Sequence, residues 1–125
     1  MDLKEYFENT KGIGVLATAD SSGKVDAAIY ARPHFLEEEK IAFIMRDRLT
    51  HYNLQSNPHA TYLFIENGPG YRGKRLFMTK VGEEENSDLL KSIRRRQYPD
   101  DKEGSRFLVF FKLDDELPLV GAGGK

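Results

Sequence analysis

Apolar positions along this chain follow two rhythms, and the changes of rhythm mark its elements. Leu3, Tyr6 and Phe7 fall three and four residues apart, which predicts a short helix over residues 2–10 with Asp2 as its cap. Gly12 and Gly14 end it. Residues 13–20 (IGVLATAD) are apolar nearly throughout and predict a central strand. Ser21 to Lys24 form a turn, with Gly23 supplying the permissive backbone. A second strand is predicted from Val25 to about Phe35. Pro33 lies inside it and cannot donate to a ladder, so an edge or bulge is expected there. A second turn at residues 37–40 leads to a third apolar strand, IAFIM, at residues 41–45.

The pattern then changes. RDRLTHYNLQSNP reads as a loop entering a short helix capped by Thr50 and stopped by Pro58. Residues 59–66 (HATYLFIE) and 74–82 (KRLFMTKVG) predict two strands of a hairpin around the GPGYRG connector. Residues 83–96 predict an amphipathic helix with Leu89, Leu90 and Ile93 as its stripe, acids first and arginines last. Residues 97–105 read as a polar loop, 106–113 (RFLVFFKL) as a sixth strand, and the tail as irregular. Short connections make neighbouring strands antiparallel. Six such strands in a mainly β chain close most economically into a barrel, a single domain over residues 1–125.

Composition narrows the function classes. Six Tyr and eight Phe supply core mass although 31% of the 125 residues are charged. There is no cysteine, which excludes disulfides, thiolate metal sites and a cysteine nucleophile. The net charge of −1 lacks the basic excess of a nucleic-acid binder. No apolar run approaches the roughly 20 residues of a membrane span. The acidic start has no leader character, so the cytoplasm is the expected location.

Local charge is more informative than the total. The third strand delivers the chain to Arg46 and Arg48, directly before the helix that Thr50 caps. Helix amides, dipole, guanidinium groups and a hydroxyl then meet, which is the physical recipe for a phosphate site. The competing reading is an ordinary cap beside solvated arginines. Arg32-Pro33-His34 lies in the preceding strand; Arg32 could take a second phosphate oxygen or a ring carbonyl, or could be an exposed edge residue. His34, His51 and His59 have no metal-site spacing. Gly68, Gly70 and Gly73 satisfy G-x-G-x-x-G, but a strand follows rather than a helix, so a hairpin loop is expected.

The order of these elements, with the run T-x-x-N-L-x-x-N-P from Thr50 to Pro58 leading into an apolar strand, resembles the pyridoxamine 5'-phosphate oxidase-like, FMN-binding split-barrel superfamily. The resemblance covers about residues 10–82 and the last strand in outline. It implies a six-stranded antiparallel split barrel, a homodimer, and FMN at the dimer interface. It places the flavin ring along Tyr30, Ala31, Arg32 and Pro33 and at Ile44 and Met45, and the phosphate at Leu49 and Thr50. Leu49 departs from the family's basic residue; Arg46, Arg48 or Arg32 could stand in for it. His34 or Tyr71 could line the mouth. The chain ends in LPLVGAGGK without the Arg-His substrate motif of the vitamin B6 oxidases, so that reaction is not expected. The resemblance implies a small FMN-dependent oxidoreductase of unknown substrate. The alternatives are a non-catalytic FMN or electron-transfer protein, and a dimeric scaffold using a deazaflavin or haem.

Overall fold

The computed structural model describes residues 2–94 and 104–121. The chain runs α1 (Leu3–Asn9), β1 (Gly12–Ala19), β2 (Val25–Ile29), β3 (His34–Phe35), a 3-10 turn (Glu37–Glu39), β4 (Ile41–Arg46), α2 (Leu49–Ser56), β5 (His59–Glu66), β6 (Gly73–Glu85), α3 (Asp88–Ile93) and β7 (Arg106–Pro118). Asp2 caps α1 as expected, accepting from the Glu5 amide at 2.9 Å. No helix among the described residues is long and apolar enough to cross a membrane.

The strands form one antiparallel sheet in the order β2-β1-β5-β6-β7-β4-β3. Among the described residues there are seven strands rather than six because the segment expected to be one strand is two. Residues 30–33 leave the ladder around Pro33, and the chain crosses from β2 at one edge of the sheet to β3 at the other. The two edges of the rolled sheet are thus consecutive in sequence, and the split between them is tethered by four residues.

Burial follows from this curl. Leu16, Phe43, Met45, Tyr62, Phe64, Leu76, Met78, Phe107, Val109 and Phe111 face inward and pack with Phe7 of α1 in the barrel core. On β4 and β7 the alternate residues are buried too. Ala42, Leu108 and Phe110 lie under Leu90 of α3, with Leu36, Ile44 and Ile93 at the margin. Covering on both faces is why these two strands read as unbroken apolar runs.

Three expected boundaries move. Glu83, Glu84 and Glu85 continue β6, paired with Val109, Leu108 and Phe107, so the helix begins only at Asp88, capped by the Ser87 hydroxyl. Its expected last residues, Arg95 and Arg96, and residues 97–103 of the loop lie outside the described residues. The chain from Asp114 to Pro118 is strand, because β6 offers it a partner as far as Lys74. The register of this long pair shifts at Phe77/Met78 and at Lys80/Gly82, which bends it around the barrel. The GPGYRG segment is the β5–β6 hairpin loop that the following strand required.

Candidate functional site

The split in the barrel opens into a cleft of about 780 Å³ between β2 and β4, with α2 across one end. Asp26, Ala28 and Tyr30 line one wall, alternating along β2 and beyond its end. Phe43, Ile44 and Arg46 of β4 line the other. Strand β3 pairs only with Ile41 and Ala42, so the β4 edge beyond them faces the cleft rather than another strand.

Helix α2 closes the end of the cleft, and its seating explains the local sequence. Leu54 packs into the barrel core, and Asn53 Nδ2 donates to Thr18 Oγ1 on β1 at 3.1 Å, both residues being buried. The Ser21 amide donates to Ser56 Oγ at 3.2 Å and Asn57 Nδ2 to the Asp20 carbonyl at 3.5 Å. His51 stacks on Phe107 at 3.7 Å, and its Nε2 lies 3.0 Å from Glu83 Oε2. Burial opposes ionisation of Glu83, but hydrogen bonds from Lys80, His51 and Gln55 outweigh it and hold its pKa at about 2. The T-x-x-N-L run is therefore the attachment of α2 to the barrel wall.

Arg48, not Thr50, is the capping residue of α2, and it makes no side-chain bond to the first turn among the described residues. The first-turn amides of Leu49, Thr50 and His51 precede the helix ladder, whose first bond runs from the Tyr52 amide to the Arg48 carbonyl. Thr50 sits inside that turn, 4% exposed, and its Oγ1 donates to Asp26 Oδ2 at 3.4 Å. Burial raises the pKa of the Tyr30 phenol; the Thr50 hydroxyl and Arg48 work against that rise, and the Asp26 charge adds to it. The Tyr30 ring stands edge-on to Phe43 at 6.1 Å, and its carbonyl accepts from the Tyr62 hydroxyl at 3.1 Å.

Of the residues singled out from sequence, Tyr30, Ala31, Arg32, Ile44, Arg46, Arg48, Leu49 and Thr50 all line this cleft, and so does His34. Two lie elsewhere. Met45 is 1% exposed and points into the barrel core, since alternation along β4 puts it on the face opposite Ile44. Pro33 is buried and borders a smaller hollow with Lys4, Phe7 and Glu8. Arg32 also has structural work: its Nη1 donates to the Phe7 carbonyl at 2.6 Å, holding the end of α1. Tyr71 is 82% exposed on the hairpin loop and is not among the described lining residues. Sequence reasoning missed Asp26, Ala28, Ile29, Phe43 and Arg94. Period-two alternation from Tyr30 would have found the first two. Arg94 had no local signal; it reaches the cleft only because α3 packs outside β4.

The described lining thus carries four arginines and one carboxylate, with aromatic and aliphatic walls between them. An anionic end and a flat apolar middle suit a planar heterocycle bearing a phosphate. The residues present fit a flavin nucleotide, Asp26 being the one charge set against it.

No protein-family model and no curated protein matches this sequence. Solved structures do. An FMN-binding protein from Syntrophomonas wolfei subsp. wolfei superposes with a TM-score of 0.74 at 15% identity, covering 94% of this chain and 84% of that one. The chain has the same fold, a split β-barrel. A proposed pyridoxamine 5'-phosphate oxidase from Lactobacillus delbrueckii follows, with a TM-score of 0.67 at 16% identity over 90% of this chain and 88% of that one. An F420 reductase gives 0.65 at 19% identity over 94% and 98%. This split barrel keeps the fold of those proteins at low identity, so its own cleft must carry the argument about function.

Proposed function

We propose that the cleft binds FMN and that the protein is a small flavin-dependent oxidoreductase working as a homodimer. The observation that carries this reading is the convergence, in one cleft, of the α2 first-turn amides, Arg48 and buried Thr50 beside a wall of Tyr30, Ala28, Phe43 and Ile44. The amides, Arg48 and Arg46 would hold the phosphate, and the β2 and β4 walls the ring. Bound flavin supplies the redox chemistry. The chain's own part is to fix the phosphate, exclude water from the ring, and present His34 and Arg94 to a second reactant at the rim.

The dimer reading rests on the outer face of the sheet. Val25 is 79% exposed, Ile29 72% and Ile13 56%; Val15 lies across from Ile29, and Ile13 from Ile65. Such a continuous apolar face suits a second copy of the chain. Ile29 also lines the cleft, so a partner on this face would cover its rim.

Absorbance and mass analysis of the small molecule that co-purifies tests the cofactor. Flavin bands with the mass of FMN support the reading. A deazaflavin, a haem, or protein that stays colourless after addition of FMN overturns it. Turnover with reduced nicotinamides and a panel of acceptors then separates an enzyme from a carrier.

A further inference from the structure

The carboxylate of Asp26 stands where an anion site should have none. It lines the same end of the cleft as Arg48 and Thr50, and Thr50 Oγ1 gives its proton to Asp26 Oδ2 at 3.4 Å. A hydroxyl has one proton to donate. To bond a phosphate, Thr50 would have to turn away from Asp26 and leave a half-buried carboxylate facing a dianion. Neither side has much room to retreat. Asp26 is fixed in the β2 ladder opposite Thr18, and Thr18 is the residue that ties Asn53 of α2 to β1. The Tyr30 phenol bonds to the Thr50 hydroxyl and feels both the Asp26 charge and the Arg48 guanidinium, so these four groups share one corner of a cleft that Arg46 also lines.

We propose that Asp26 is a specificity-determining residue that weakens the site for a fully ionised phosphate monoester, so that a phosphorylated ligand exchanges with solvent instead of staying resident. The proposal deepens the flavin reading and rests on it for the identity of the natural ligand. It depends on the chain's own geometry for the sign of the effect. Thr50 then acts as the go-between: its proton goes to Asp26 in the empty site and to the phosphate in the filled one, and the carboxylate opposes the second state.

Asp26→Asn removes the charge and keeps an oxygen to accept from Thr50. Binding of FMN and of riboflavin to the native protein and the variant is followed by flavin fluorescence, and inorganic phosphate is titrated in parallel by thermal shift. The variant should bind FMN about ten-fold tighter, and release it correspondingly more slowly, while riboflavin changes by less than about two-fold. Phosphate should stabilise the variant more than the native protein. Unchanged or weaker FMN binding, or an equal gain for both flavins, overturns the proposal. If neither protein binds a flavin, the cofactor reading fails separately. The phosphate titration then decides alone: a larger stabilisation of the variant supports a brake at Asp26, and an equal one refutes it. Asp26→Ser, read in the same way, replaces the Asn variant should that variant not fold.

Discussion

Thr50→Ala combined with Arg48→Ala should separate FMN from riboflavin, because the two ligands differ only in the phosphate. The magnitude follows from where the two side chains sit. Thr50 is 4% exposed, and a hydroxyl bonding to a charged group in such a place contributes about 1.5 kcal/mol. Arg48 is exposed at the helix start, where solvent screening leaves a guanidinium about 0.5–1 kcal/mol. Together they amount to about 2–2.5 kcal/mol, a loss of about 30- to 70-fold in FMN affinity. The first-turn amides of α2 survive both substitutions, so binding should weaken rather than vanish. Fluorescence titration of both flavins at one fixed salt concentration measures this, with a thermal melt of the double variant as the control for folding. Riboflavin should change by less than about two-fold. Equal losses for the two ligands would refute the phosphate site at α2.

Other outcomes can be checked in the same preparations. Glu83 has a folded pKa of about 2 against an ordinary 4.5, so its contribution to stability is present above 4.5 and fades as pH falls toward 2. Urea melts should show Glu83→Gln less stable than native by about 1–3 kcal/mol near neutral pH, with the gap narrowing in acid; a gap constant with pH would contradict the network with Lys80, His51 and Gln55. At Gly14 an added Cβ would collide with the Tyr62 hydroxyl, so Gly14→Ala should cost about 1–3 kcal/mol and loosen Tyr30, whose carbonyl that hydroxyl holds. An unchanged urea midpoint would refute the close approach. Ile29→Asp should convert a dimer to a monomer in sedimentation and release bound flavin; a demonstrated monomer that keeps its flavin would count against closure of the cleft by a partner.

Much of this fold was legible because its signals are local. Alternation and turn residues located the strands, and Pro33 announced the interruption that makes seven strands of six. What escaped depends on partners distant in sequence. Nothing in DDELP says strand; the segment is one because β6 runs alongside it. Glu83 to Glu85 look like the acidic first turn of a helix, and the same pairing claims them instead. The lining of the candidate cleft was legible in its basic loop and helix start, where Arg46, Arg48 and Thr50 fall within five residues of sequence. It was misplaced by one residue at Met45, where period-two alternation should have been applied strictly. Asp26 was overlooked because a lone carboxylate on a strand carries no motif, and it acquires meaning only beside Thr50.

The tether between Ile29 and His34 acts as a ruler. Five Cα–Cα steps separate the two sheet edges along the chain, at most about 16–18 Å fully stretched. Whatever enters the split must fit a gap whose width this short cord caps, however the walls breathe. Adding or removing a residue between 30 and 33 is therefore a way to retune the girth of molecule the protein admits, although it also shifts Tyr30, Ala31 and Arg32 of the lining along the cord.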